Sequence, residues 1–326
     1  MPKTPTSLSL KSRLKGLHFI PRSDKDSDHH LLVTDLFPFV PDLLEIGFPY
    51  LDHEIAAALA TYCPRLQRFH QTNQPKSIHR SVPRSGVLNS LGILLSRCPN
   101  LQEFDGVGHE IKVDYLIANP WICQNMQVLR CQIIGLTRPS EEEEINYNQG
   151  ILFRYRLGYS LSEQESLAVD KHMLQIRPQH AKVYAKLATM VNLRVLEPDT
   201  EYRTPVLPRN IFRTSFSIQR GAQWYIDYGN PAPDTLELSL VSGLAQLSTL
   251  TKLEVFGLEG VEYRIDEEEL RWVARAWPRL KVISGLQEVE GLVHLPHDGA
   301  KWYRRVFMQM LRPDVRHERR RVVEPF

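Results

Sequence analysis

The sequence predicts an α/β fold, an irregular horseshoe-shaped solenoid with parallel strands on its concave face and helices on its convex face. Three observations predict it. The phrase Leu-x-x-apolar-x-apolar recurs, as in Leu43-Leu44-Glu45-Ile46-Gly47-Phe48 and Leu253-Glu254-Val255-Phe256-Gly257-Leu258. Three more copies open directly after a Cys-Pro or Trp-Pro pair, at Cys63-Pro64-Arg65-Leu66, Cys98-Pro99-Asn100-Leu101 and Trp277-Pro278-Arg279-Leu280. Between the phrases, apolar residues recur at three- and four-residue spacing, the period of a helix with one buried face. A unit of one strand and one helix cannot bury its apolar side alone, so successive units must stack.

The first apolar residues of the phrases are Leu14, Leu43, Leu66, Leu101, Met126, Leu193, Leu253 and Leu280, with steps of 29, 23, 35, 25, 67, 60 and 27 residues between them. Four of these steps fall within the period of roughly 20–29 residues that marks leucine-rich repeats. The step of 35 reads as a repeat with an insertion. The two longest steps require hidden repeats or large insertions. Leu236-Glu237-Leu238-Ser239-Leu240 alternates with period two, as a hidden strand would. Counting from each anchor, positions one, four and six point into the core and positions three, five and seven point to the concave side.

The connecting stretches read as helices in turn. Leu51 to Tyr62 is Ala-rich, with Asp52 as its N-cap. Ser85 to Arg97 carries Val87, Leu88, Leu91, Leu94 and Leu95 on one face. Gln179 to Met190 does the same with Val183, Leu187 and Met190. Asp266 to Trp277 opens on four acidic residues, favourable at the positive end of a helix dipole. Lys301 to Leu311 is a last amphipathic helix, with Trp302, Val306, Met310 and Leu311 inward. Proline after Cys63, Cys98 and Trp277 stops each preceding helix, because it offers no N–H to continue it.

Residues 1–326 thus read as a single irregular repeat domain, with insertions at about 70–83, 138–150 and 198–230 and a charged tail at 312–326. Apolar content of 42% and charged content of 24% are those of an ordinary folded chain. A net charge of +2 provides no global field toward nucleic acid or a membrane surface. No apolar run approaches the roughly 18 residues of a membrane span, and Met1-Pro2-Lys3-Thr4-Pro5 lacks the apolar core of a secretory signal. Cys63, Cys98, Cys123 and Cys131 fit no common zinc spacing, which points to a reducing cytoplasmic or nuclear location.

The Cys-Pro phrases, with the run Leu253 to Gly260, Glu267-Glu268-Glu269-Leu270 and Trp277-Pro278-Arg279-Leu280-Lys281-Val282, resemble the leucine-rich-repeat region of F-box proteins, most closely the set expanded in early-diverging filamentous fungi. The resemblance runs from about Leu43 to Pro313. It implies a substrate receptor of a ubiquitin ligase, in which the F-box docks to the Skp adaptor of a cullin and the repeats hold the substrate. The nearest imitation of an F-box opening is Pro41-Asp42-Leu43-Leu44-Glu45-Ile46, but Gly47 and Pro49 would break a helix there, and the same residues fit the strand phrase. A scaffold with no ligase role is the alternative.

Motifs of chemistry are sparse. The sequence has no Gly-Lys-Ser/Thr phosphate loop, no Gly-x-Ser-x-Gly elbow and no His-Glu-x-x-His. His29-His30 after Asp24, Asp26 and Asp28, and likewise His109-Glu110, read as solvated loops rather than metal ligands. Cys123 and Cys131 read as core or turn residues, and Arg316 to Arg321 as a charged tail in which Glu318 interrupts the basic run. The expectation is a non-enzymatic protein-binding module with no cofactor, no metal and no nucleic-acid partner. Its candidate binding residues, at the concave positions, are Arg68, His70, Glu103, Asp105, Arg130, Gln132, Glu197 and Asp199.

Overall fold

The computed structural model describes residues 14–19, 33–49, 51–72, 90–134, 162–198, 236, 238–258, 265, 267–285 and 298–318. Among the described residues nine strands form one all-parallel sheet in sequence order: β1 (Gly16–His18), β2 (Glu45–Phe48), β3 (Arg68–Gln71), β4 (Glu103–Lys112), β5 (Val128–Ile134), β6 (Val195–Glu197), β7 (Val255–Gly257), β8 (Val282–Ser284) and β9 (Arg316–Glu318). The first eight strands each begin two residues after one of the anchors read from the sequence. Position four is buried in the phrases of β2 to β8, as with Ile46, Phe69, Phe104, Leu129, Phe256 and Ile283, and half-buried at Leu17 of β1, while position three lies on the opposite face.

Two backbone hydrogen-bond motifs recur and set this register. Before β2 to β8 the anchor N–H donates to the carbonyl three residues earlier, as with Leu66 to Cys63 at 3.0 Å, Leu101 to Cys98 at 3.2 Å, Met126 to Cys123 at 3.2 Å and Leu280 to Trp277 at 3.0 Å. Then the carbonyl at position two of one strand accepts from two N–H groups of the next. Gln67 accepts from Gln102 and Glu103 at 2.8 and 3.0 Å, and Arg194 accepts from Glu254 and Val255 at 2.8 and 2.9 Å. A slip of one residue would break this fork and turn the apolar face outward.

Helices return the chain between strands. α1 (His53–Tyr62) is capped as expected, the Asp52 carboxylate accepting from the Ile55 N–H at 2.7 Å. α2 (Ser90–Arg97) packs beside it. α3 (Val113–Ala118), one and a half turns after β4, has no counterpart in the sequence reading. α4 (Glu163–Ala188) begins 16 residues before the expected Gln179 and runs through Pro178. α5 (Glu267–Ala276) and α6 (Asp298–Leu311) pack on each other. In α6 Leu311 packs on the core as expected, together with Phe307 and the buried Met308, whereas Met310, expected inward, is 76% exposed. The Trp302 side chain lies outside the described residues.

The two long steps add no strand to the sheet, because β5 pairs directly with β6 and β6 with β7. Leu236 and Leu238 are buried as alternation suggested, but Ser239 caps a 3-10 turn over Leu240–Ser242 and Gly243 adopts φ +103°. The expected hidden strand is therefore absent at 238–240, where the backbone turns. His70 and Gln71, read as the start of an insertion, belong to β3. The other insertion residues, 73–83, 138–150 and 199–230, lie outside the described residues. Arg312 to Glu318, read as part of a charged tail, form a turn and β9.

Trp277 and Arg312 occupy equivalent turns before β8 and β9. Trp277 is fully buried, donates its indole N–H to the Leu247 carbonyl at 3.0 Å, and packs on Phe256 and Trp272 with ring centroids 4.7 and 5.1 Å away. The Arg312 guanidinium donates to the carbonyls of Ala274, Trp277, Pro278 and Leu280 and to Asp314, satisfying acceptors that the end of α5 leaves open. Trp277→Ala should cost about 3–5 kcal/mol of unfolding free energy. Arg312→Ala should cost roughly 1.5–3 kcal/mol, and Met310→Ala, at an exposed site, within about 0.5 kcal/mol of nothing; urea denaturation of the three variants checks the ranking.

Candidate functional site

The face of the sheet opposite the core carries positions three and five of every phrase, and there the sequence-predicted residues meet. Arg68, His70, Glu103, Asp105, Arg130 and Glu197 all lie on it, on β3 to β6. Gln132 is on β5, paired with Glu110, but its side chain lies outside the described residues, as does Asp199 altogether.

Parallel register puts like positions side by side about 4.8 Å apart, so charges on neighbouring strands reach each other. Glu45 is the hub of the first cluster. Its Oε2 accepts from Arg68 Nε and Nη2 at 2.9 and 2.6 Å, while Oε1 faces His18 Nε2 at 3.3 Å and His70 Nε2 at 3.8 Å. The hydrogen bond from Arg68 holds the Glu45 carboxyl below its usual pKa against the opposing effect of burial. Gly47 makes room for the cluster: a Cβ there would collide with the His18 ring and approach Thr72 Cγ2 to 2.8 Å.

Arg130 joins the second cluster. Its Nη1 donates to Asp105 Oδ2 at 2.7 Å and its Nε to Glu197 Oε2 at 2.6 Å, so one guanidinium bridges three adjacent strands. Burial opposes its charge, but Asp105 and Glu197 outweigh that and raise its pKa. The Glu197 side chain lies across Gly257, where a Cβ would approach Glu197 Cγ to 2.7 Å. A third cluster, absent from the sequence reading, sits at position two: Arg194 Nε and Lys281 Nζ donate to the two Glu254 oxygens at 2.9 and 2.8 Å. Arg194 and then Lys281 pull the Glu254 carboxyl down to about 2. Between the second and third clusters, position three is a ladder of valines: Val128 pairs with Val195, Val195 with Val255 and Val255 with Val282.

Other candidates fall elsewhere. His109 is not in a solvated loop. The β4–β5 register shifts between Asp105 and Glu110, and that irregularity places His109 in the core, 3% exposed and edge-on to the stacked rings of Phe69 and Phe104. Its Nε2 accepts the Leu51 N–H at 2.8 Å, so the proton sits on Nδ1, 3.0 Å from Gln71 Oε1. All four cysteines are buried, unpaired thiols, their pKa pushed by burial to about 12. Among the described residues no group of three or more His, Cys, Asp or Glu is placed to hold a metal ion; His29, His30 and the aspartates before them lie outside. Nor, among those residues, is any helix long and apolar enough to cross a membrane.

Hydrogen-bonding, ionic and apolar groups on one ordered face supply recognition chemistry. No protein-family model and no curated protein matches this chain, so the reading rests on the residues and their geometry.

Burial lowers the His109 pKa from 6.5 to about 4. The unfolded chain therefore takes up a proton before the folded one does. His109 contributes its full stabilisation above pH 6.5 and loses it as the pH falls from there to 4. Denaturation between pH 7 and 4 should show a loss of about 3 kcal/mol from this group, and His109→Gln should flatten that slope. Arg130→Ala, which strands two carboxylates, should cost about 2 kcal/mol, and Arg68→Ala, at a more exposed pair, about 1 kcal/mol or less.

Proposed function

We propose that the chain is a leucine-rich-repeat solenoid whose outward strand face binds another protein, and that it acts without catalysis. The observation that carries this is the joint placement of Arg68, His70, Glu103, Asp105, Arg130 and Glu197 on one face of a sheet whose strands follow one another in sequence order. A parallel sheet of this kind exposes a broad, rigid surface whose chemistry is set by two side chains per strand. Its mixture of ionic clusters with an apolar ladder suits a protein interface, in which a few apolar anchors are rimmed by polar groups.

The ubiquitin-ligase role is carried by the family resemblance. Its counterpart, a scaffold that touches no Skp adaptor, is favoured by one observation: the residues that imitate an F-box opening, Pro41 to Ile46, run into β2 instead of a helix. The shared element of both readings is protein capture on the strand face.

Affinity purification of the tagged chain from its own cells, followed by mass spectrometry, tests both. Recovery of the Skp adaptor with a cullin establishes the ligase reading, and recovery of other proteins alone establishes the scaffold. In either case Arg130→Glu combined with Glu103→Lys should reduce recovery of the captured protein by about ten-fold or more. Undiminished recovery with a folded double variant would rule out the strand face as the binding surface.

A further inference from the structure

The ladder Val128–Val195–Val255–Val282 is unusual in its surroundings. On the same face, position three of the preceding strands is Glu45, Arg68 and Glu103, and position three of β9 is Arg316. The chain thus places four β-branched apolar residues side by side on a row that is otherwise charged from β2 to β9, with Gly16 on β1. Val128, Val195 and Val255 are partly exposed and Val282 is 7% exposed. Three inter-strand steps make the strip about 14 Å long.

Its borders differ in charge. Along position five, Asp105 and Glu197 share Arg130, two carboxylates to one guanidinium. Along position two, Arg194 and Lys281 share Glu254, two cations to one carboxylate. Positions two and five are three residues apart along a strand, so the borders stand about 10 Å apart. That width matches the roughly 10–12 Å diameter of an α-helix with its side chains. An extended peptide laid along the strip would span about half of it and leave one border out of reach.

We infer that this strip docks an amphipathic helix of the protein partner, about three turns long, lying across β5 to β8. The inference rests on the protein-binding reading above and names its ligand class. Apolar side chains at i, i+3, i+4 and i+7 of that helix cover the valines. Basic side chains on one flank meet Asp105 and Glu197, and acidic side chains on the other meet Arg194 and Lys281.

Two measurements on the full chain test it. The native thiols are buried, with pKa values near 12, so a cysteine placed on the strip reports its own accessibility to a maleimide. Val195→Cys and Val255→Cys should label within about ten-fold of Glu54→Cys on the exposed side of α1; strong protection would mean that the strip is covered and would overturn the inference. The second is selection of binders from a displayed library of three-turn helices with randomised surfaces. Enriched sequences should combine an apolar stripe with one basic and one acidic flank, and Val195→Glu with Val255→Glu should weaken them about ten-fold or more. Val195→Thr, which keeps the β-branched shape, guards against misfolding and should weaken them a few-fold. Arg194→Glu with Lys281→Glu should shift the selection to helices basic on both flanks. No enrichment, or enrichment indifferent to these variants, would overturn the inference. If the cellular partner is still captured by the Val195→Glu/Val255→Glu variant but lost on Arg130→Glu/Glu103→Lys, protein binding stands and helix docking falls.

Discussion

One backbone acceptor per strand holds this structure in register. From β1 to β7 the carbonyl at position two takes two N–H groups from the next strand, as Gln67 takes those of Gln102 and Glu103. That fork, together with the turn that ties each anchor N–H to the carbonyl three residues before it, leaves the following strand a single alignment. Everything on the outward face depends on it. Arg130 reaches both Asp105 and Glu197 because all three occupy position five, and the valines stand side by side because all four occupy position three. Side-chain chemistry on this face is a consequence of main-chain hydrogen bonding beneath it.

Much of that framework is legible in the sequence. An apolar residue at positions one and four is enough to locate the first eight strands by their anchors, since no other register buries Leu66 with Phe69 or Leu280 with Ile283. The readings that fail do so where local pattern and packing part company. Leu236 and Leu238 alternate like a strand, yet the backbone at Ser239 turns through a hydroxyl cap and no ladder position is open. Apolar spacing marks a helix only from Gln179 to Met190, but α4 begins at Glu163, ahead of Pro178. β9 is hidden because its turn is built on Arg312, a charged residue where the turns before β2 to β8 carry apolar ones, from Val40 and Cys63 to Leu250 and Trp277.

The surface was legible to a similar depth. The alternation rule brings six candidate residues to one face, but it is silent on which of them pair. That depends on reach between strands. Arg68 binds Glu45 rather than Glu103, although both flank it in register. The position-two cluster around Glu254 was missed because that position sits at the strand entrance and does not belong to either alternating set. His109 was missed for a different reason: a break in β4 register rotates it into the core, and no periodicity announces such a break.

The clusters also lie at the two places where the chain wanders farthest. Arg130 to Glu197 spans 67 residues and Arg194 to Glu254 spans 60, whereas Arg68 to Glu45 spans 23. Bringing the ends of a threefold longer segment together costs about 1 kcal/mol more chain entropy. The β5–β6 and β6–β7 joints therefore carry the largest chain-entropy cost in the sheet, and each is spanned by an ionic clasp. The same side chains that would greet a partner sew the early and late halves of the sheet together, so that salt or acid strong enough to loosen the clasps acts on the continuity of the sheet as well as on its surface.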